Sequence, residues 1–146
     1  MSAASKTEEE VRKLSMEVRY FEQTAEVLQQ RVGMLNAALS DLSYASATLE
    51  NIEKEKENAE LLVPIGGGNY VSAKLATPDK VVVGMGSGVS MEKSLPEAKA
   101  VVKQRMEDLQ KTQASAEQQL VQISERINQD RTRLETLVAG LREGKP

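Results

Sequence analysis

The sequence predicts an α+β fold in which a long antiparallel two-helix coiled coil is joined by two β-hairpins. Two heptad seams of apolar residues, in the first and last thirds of the chain, flank a segment rich in Gly and Val. The predicted organisation is an N-terminal coiled-coil helix, two β-hairpins and a C-terminal coiled-coil helix within a single domain, with boundaries at 1–60, 61–93 and 94–146.

The first helix is predicted from apolar residues spaced alternately by three and four. Thr7 and Glu10 have the spacing of a capping box, which predicts the start of the helix. After Leu42 the seam slips and continues through Ala45, Leu49 and Ile52. The regular part of the seam comprises Val11, Leu14, Val18, Phe21, Ala25, Leu28, Val32, Leu35, Leu39 and Leu42.

The second helix is predicted to begin at another capping box, Ser94 to Glu97, and to end near Gly140 or Gly144. Because the two helices have nearly equal lengths, we expect them to fold back on each other antiparallel. Gln113 and Asp130 are expected to form polar layers in the seam. A further expectation is that the arm is less stable near Asp130 and opens there. The seam comprises Val102, Met106, Leu109, Gln113, Ala116, Leu120, Ile123, Ile127, Asp130, Leu134, Leu137 and Leu141.

The segment 61–93 has the alternation and turn residues of two consecutive β-hairpins. Leu61–Ile65 precedes a Gly-rich turn, and Val71, Ala73 and Leu75 alternate with polar residues in the returning strand. The second hairpin comprises strands around Val81, Val83 and Met85 and around Val89, Met91 and Lys93, joined through Gly86, Ser87 and Gly88. Isolated hairpins are marginally stable, and their edges pair readily with other chains. We therefore expect hairpins from several subunits to form a shared, intersubunit β-barrel.

Composition argues against several classes of function. The chain of 146 residues contains no Cys and no His, so thiolate chemistry and the commonest general base and metal ligand are missing. We expect no enzyme, no metal and no cofactor. The net charge of −3 and the lack of a basic, aromatic-interleaved patch argue against nucleic acid. No apolar run is long enough to span a membrane, and the first ten residues are polar, so we expect a cytoplasmic protein without membrane partners.

The Gly84-Met85-Gly86-Ser87-Gly88 segment has a superficial likeness to a nucleotide-binding loop. It lacks the third Gly of the dinucleotide fingerprint, and no Gly-Lys-Ser/Thr follows it. We interpret both glycine clusters as hairpin turns; a phosphate-binding enzyme is the less favoured alternative.

Several apolar residues of the first helix lie outside its seam. Tyr20, Val27 and Met34 are spaced by seven, and a neighbouring stripe carries Met16, Ala37 and Tyr44. One interpretation is scattered exposed residues of the kind found on any surface. The other, weighed about equally, is an adaptable apolar face that binds something.

The hairpin segment resembles the α class of prefoldin subunits. The resemblance is carried by Leu61-Leu62-Val63-Pro64-Ile65-Gly66-Gly67-Gly68-Asn69-Tyr70-Val71 and by Lys80 to Ser94, and two hairpins rather than one distinguish the α class from the β class. It implies a hetero-hexamer of two α and four β prefoldin subunits with a double β-barrel platform. It further implies an ATP-independent chaperone that holds unfolded client proteins at the coiled-coil tips and delivers them to a group II chaperonin.

The resemblance also implies site residues. The client-binding tips are Val11, Leu14, Met16, Val18, Tyr20, Phe21, Leu134, Leu137, Val138 and Leu141. The oligomerisation residues are Leu62, Val63, Ile65, Val71, Ala73, Leu75, Val81, Val83 and Val89. Helix ends fray, which is consistent with apolar tips that engage clients weakly and in number. The alternative is a structural or scaffolding coiled coil that forms homo-oligomers or filaments.

Overall fold

The computed structural model of the chain describes residues 2–144. It confirms an α+β architecture of two long helices and two antiparallel β-hairpins. The elements are α1 (Ala3–Glu53), β1 (Glu60–Gly66), β2 (Asn69–Lys74), β3 (Lys80–Gly86), β4 (Val89–Ser94) and α2 (Leu95–Arg142). The outer limits of the predicted helical segments, at residues 1, 145 and 146, lie outside the described residues.

The chain divides into two compact units. The first comprises α1 up to Ala37 and α2 from Lys111 onward, and the second comprises the remainder of both helices with the two hairpins between them.

In the first unit, α1 and α2 pack antiparallel along the predicted seams. Contacts between polar side chains pair Asn36 with Gln113, Glu17 with Arg126 and Glu10 with Arg133, so the partner's number rises as the α1 number falls. Every predicted seam position of this unit is buried or half-buried, including the two polar ones. The heptad pattern therefore identified the contact face of both helices.

The start of α1 differs from the predicted capping box. The helix begins at Ala3, where the Ser2 Oγ accepts a hydrogen bond of 3.1 Å from the Ser5 amide. The Thr7 hydroxyl instead donates to the Ala3 carbonyl oxygen, as an interior helical Thr does. The prediction of a start at Thr7 is wrong because Ser2, nearer the start of the chain, caps the helix.

In the second unit, the core lies between the helices and the second hairpin. Leu49 of α1, Val83 of β3, and Leu95, Ala98 and Val102 of α2 form one buried cluster. The Arg105 guanidinium donates to the Gly84 carbonyl oxygen at 2.6 Å, and the Lys99 ammonium contacts the Glu53 carboxylate. The Arg105 contact fixes the second hairpin to α2, and the Lys99 contact joins α2 to α1.

The charged stretch before the first hairpin is not helical. α1 ends at Glu53, and Asn58 adopts a positive φ of 65°. The Asn58 amide donates to the Leu75 carbonyl oxygen at 2.7 Å, and the Leu75 amide donates to the Ala59 carbonyl oxygen at 2.9 Å. These bonds close the base of the first hairpin, and they take the chain out of the helix before residue 60.

The ends of α2 follow the predicted signals. The Ser94 Oγ accepts a hydrogen bond of 3.3 Å from the Glu97 amide and donates to the Glu97 carboxylate. Ser94 is therefore the N-cap, as predicted. At the other end α2 stops at Arg142, and Gly144 has a φ of 70°, which suits the predicted glycine terminator.

The two hairpins are near copies of each other at an offset of 20 residues. Glu60 lies opposite Lys74 in the first and Lys80 opposite Ser94 in the second, and each pairing shifts register at a glycine, Gly66 or Gly86. Both loop residues have positive φ in each hairpin, which is the requirement of a tight two-residue turn. The hairpins form two separate two-stranded sheets.

Candidate functional site

The two equivalent hairpins differ in how the chain covers them. Val83 is only 7% exposed because it packs into the helical core, whereas Val63, its counterpart 20 residues earlier, is 41% exposed. Val63 lies opposite Val71, and this pair belongs to one face of the first sheet. That face is exposed in the single chain.

The predicted oligomerisation residues fall into two groups. Leu62, Val63, Ile65, Val71 and Val89 are exposed, while Ala73, Leu75 and Val81 are half-buried and Val83 is buried. Register places Leu62, opposite Ser72, on the other face of the sheet from Val63. The set therefore does not form one continuous surface within a single chain.

Four further apolar hairpin residues are exposed that the predicted set omits. Strand alternation identifies Met85 as a same-face neighbour of Val83 and places Tyr70 and Val82 on the opposite faces from Val71 and Val83, so these signals are present in the sequence. Only the register shows that Met91 lies opposite Val83. The four residues are Tyr70, Val82, Met85 and Met91.

The predicted tip residues lie at the N-terminal turns of α1 and the C-terminal turns of α2. Most of them are seam residues that the partner helix covers partly, and Val18 is buried. The half-buried members are Val11, Leu14, Phe21, Leu134, Leu137, Val138 and Leu141. Met16 and Tyr20 are instead exposed on the outer side of α1. While α1 and α2 stay paired, the exposed apolar surface of the predicted tip is therefore that of Met16 and Tyr20.

A shallow surface depression lies on the last turns of α2. It has a volume of about 490 Å³ and is lined by Leu134, Glu135, Val138, Ala139, Arg142 and Glu143. Its lining combines apolar side chains with the charged ones of Glu135, Arg142 and Glu143. Val138 is the one predicted tip residue outside the seam that contributes to it.

A cross-helix charge cluster lies beside the tip residues. The Arg126 guanidinium donates to the Glu17 carboxylate at 2.7 Å and stacks over the Phe21 ring at 5.4 Å from its centroid. Arg133 donates to Glu10 at 3.2 Å, and Arg131 contacts Glu22. Sequence reasoning did not name these pairs, although their positions flanking the seam are where interhelical ion pairs form in coiled coils.

Asp130 is a buried acid in the α2 seam. It is 8% exposed, and its Oδ2 has no hydrogen-bond partner among the described residues. Burial, and then the neighbouring Glu17 carboxylate, raise the pKa of Asp130. Hydrogen bonds with Arg126 and Asp130 lower the pKa of Glu17. Asp130 therefore keeps its proton to a higher pH than an ordinary aspartate, and Glu17 loses its proton at a lower pH than an ordinary glutamate.

The glycine clusters serve the turns of the hairpins. Gly66, Gly67 and Gly68 all have positive φ, as do Gly86 and Gly88, so backbone geometry accounts for five of these glycines. Within residues 2–144 there is no grouping of three or more acidic, His or Cys side chains that would hold a metal ion. No helix in that part of the chain is both long enough and apolar enough to cross a membrane.

Comparison with known proteins decides the family. Residues 21–139, which include most of both helices and both hairpins, match the family model described as prefoldin subunit. The chain belongs to the prefoldin family. The resemblance of its hairpins to the α class of prefoldin subunits is likewise confirmed by the relatives.

Archaeal prefoldin α subunits resemble the chain over most of its length. The subunit of Methanosarcina mazei is 33% identical over 94% of this chain and 96% of its own, and that of Methanococcoides burtonii is 33% identical over 83% and 88%. The subunit of Pyrococcus horikoshii is 30% identical over 82% of each.

A solved prefoldin structure shares the fold. The cryo-EM structure of filamentous prefoldin from Methanocaldococcus jannaschii superimposes with a TM-score of 0.68 at 27% identity, covering 86% of this chain and 98% of that one.

Proposed function

We propose that the chain is one subunit of an ATP-independent holdase that binds unfolded proteins with its coiled-coil arm. The observation that carries the proposal is the uneven distribution of exposed apolar side chains. They cluster on the hairpins and on the outer side of α1, while the seams are covered. Membership of the prefoldin family, a family of chaperone subunits, supports the proposal.

The hairpins are the assembly surface in this proposal. The open face around Val63 and Val71 is completed by strands of β-class prefoldin subunits, giving a hexamer of two α and four β chains around β-barrels. A partner strand satisfies the free edges of the two-stranded sheets and buries their apolar side chains. We assign this assembly to the cytoplasm, with a group II chaperonin as the recipient of clients and with no nucleic-acid or membrane partner. Neither catalysis nor a cofactor forms part of the mechanism.

The arm ends are the client-binding surface. Met16 and Tyr20 present flexible and amphipathic apolar surface without any opening of the arm. Separation of the last turns adds half-buried seam residues such as Leu14 and Leu137. Several weak arms acting together then retain one client by multivalency.

The test combines an assembly measurement with a chaperone measurement. A chain truncated to residues 22–131 keeps the Glu22–Arg131 pair at its new end and should still assemble with a β-class partner. Light scattering of a denatured test protein, diluted without nucleotide, should show that the full-length assembly suppresses aggregation and that the truncated one suppresses it much less. A truncated assembly that protects the client as well as the full-length one contradicts the proposal.

A full-length variant separates surface chemistry from loss of helix. Met16→Ser with Tyr20→Ser changes two exposed side chains and should reduce protection severalfold, and Val121→Ser, an equally exposed site on α2, is the matched control. Passage of a bound client from the assembly to a group II chaperonin, followed by its refolding, tests the delivery step.

A filament-forming scaffold is the second candidate. The similarity to a filamentous prefoldin favours it, since the same open hairpin faces would join copies of this chain. Electron microscopy of the isolated chain, with and without a β-class partner, distinguishes the two. Long polymers that persist when the partner is added support the scaffold.

A further inference from the structure

Helix α1 carries a second heptad pattern on the side away from its seam. Its positions follow the seam positions by two residues and keep the alternating steps of four and three. From Met16 onward within the first unit, this outer strip comprises Met16, Tyr20, Gln23, Val27, Gln30, Met34 and Ala37; the position before Met16 is Lys13, which pairs with Glu9. All seven are exposed, and none is charged.

The outer strip faces away from α2. Two residues along an α-helix turn the side chain by about 200°, so a strip two positions ahead of the seam lies on the opposite side of the helix. Val27 is 64% exposed in agreement with this geometry. The strip is therefore available while the arm is intact.

The spacing of the strip fits a helix better than an extended chain. Tyr20, Val27 and Met34 recur every seven residues, or about 10.5 Å along the axis, which is the heptad repeat of a second helix. An extended strand presents side chains to one face about every 6.7 Å, which does not match. The two Gln residues between them do not prevent helix packing, since the seam itself accommodates Gln113 opposite Asn36.

Charges beside the strip favour an acidic occupant. Arg19 and Arg31 flank it on its two sides, and within residues 2–144 neither forms an ion pair. The acidic Glu17 on the same flank as Arg31 is already held by Arg126, which leaves Glu26 as the opposing charge. A second copy of the strip would bring like charges together, so self-pairing is disfavoured.

We propose that the outer strip of α1 binds amphipathic helical segments of client proteins whose apolar face is flanked by acidic residues. This inference rests on the proposed chaperone function and specifies which client segments the arm takes. Such a helix lays its apolar residues between those of the strip, and its carboxylates lie near Arg19 and Arg31.

Fluorescence anisotropy with labelled peptides tests the inference on the full-length chain assembled with its β-class partner. Three peptides share one heptad pattern of Leu: one flanked by Glu, one flanked by Lys, and one Glu-flanked with Pro residues that prevent a helix. At low salt the helical Glu peptide should bind at least tenfold more tightly than either of the others. Equal binding of the Pro peptide, or tighter binding of the Lys peptide, overturns the inference.

Matched variants locate the binding site. Val27→Asp should weaken binding of the Glu peptide at least tenfold, Val27→Leu should preserve it, and Val121→Asp, at a valine 58% exposed on α2, should change it less than twofold. Equal effects of the two Asp variants overturn the inference. If Val27→Asp leaves both peptide binding and client protection unchanged, the holdase proposal stands and the strip is rejected. If the unmodified assembly fails to protect any client, the chaperone proposal itself fails.

Discussion

Two polar residues of the α2 seam meet different partners. The Gln113 amide donates to Asn36 of α1, whereas Asp130 faces the Glu17 carboxylate and keeps one oxygen without a hydrogen bond among the described residues. The sequence identified both as polar layers. It did not reveal which side chains of α1 lie opposite them, because that depends on the axial register of the helix pair, which a heptad pattern leaves undetermined.

Asp130→Asn should stabilise the arm at neutral pH. The amide removes a charge from a buried site and can donate to Glu17, so we expect the free energy of unfolding at pH 7 to rise by about 1 kcal/mol. Chemical denaturation followed by circular dichroism measures it. Asp41→Asn, at an exposed position of α1, is the control and should have no measurable effect.

The same substitution should change the pH dependence. Because the folded pKa of Asp130 is raised, its contribution to stability is full in acid and is lost as pH rises from its ordinary value of about 3.9 through the folded value. The lowered pKa of Glu17 acts in the opposite sense, since its contribution is present above the ordinary glutamate value and is lost as pH falls through the folded one. Wild-type stability should therefore rise as pH is lowered through the folded pKa of Asp130, and this rise should disappear in Asp130→Asn. An unchanged pH profile would rule out a titrating Asp130.

Gly33→Ala should also stabilise the chain. Gly33 lies within α1, and a Cβ added there meets no atom within 4 Å. Alanine in a helix interior is favoured over glycine by about 1 kcal/mol. Gly86→Ala is the contrasting variant, because Gly86 has a φ of 96° and an added Cβ is strained there. Thermal melts should shift upward for the first and downward for the second.

At the scale of the elements, the sequence predicted each strand and helix but not the environment of each hairpin. Strand alternation and turn glycines placed the strands to within a residue or two, because these are local signals. The 20-residue repeat makes the two hairpins locally alike, yet Val83 of the second is buried in the helical core and Arg105 bonds to that hairpin, whereas Val63, the counterpart of Val83, is exposed. That difference arises from tertiary packing, which local patterns do not encode.

Comparing the variants Val63→Asp and Val83→Asp measures this difference between the two hairpins. Val83→Asp places a carboxylate in the helical core and should cost the isolated chain about 3 kcal/mol or more. Val63→Asp, at the equivalent but open position, should leave the helical content of the isolated chain nearly unchanged, and its melting too at protein concentrations low enough to prevent association. If Val63→Asp retains assembly with the β-class partner, the open face is not the assembly surface.

At the scale of the whole molecule, the hairpins carry the exposed apolar surface that association with another chain would bury. Both seams were predictable from spacing, and the helices cover them without help from another chain. The apolar side chains of Leu62, Ile65 and Met91 have no such cover within the described residues. If association buries them, as we propose, apparent stability should be linked to concentration.

Native mass and concentration-dependent melting measure this linkage together. The isolated chain should have a melting temperature that rises with protein concentration, and addition of a one-hairpin β-class partner should shift the population to a single hexameric mass. Val63→Asp should make melting independent of concentration while preserving the helical signal, because it charges the hairpin face without affecting either seam. A wild-type chain that stays monomeric, melts independently of concentration and ignores the partner would show that its hairpins are not assembly elements. A homopolymer that excludes the partner would instead favour the scaffold.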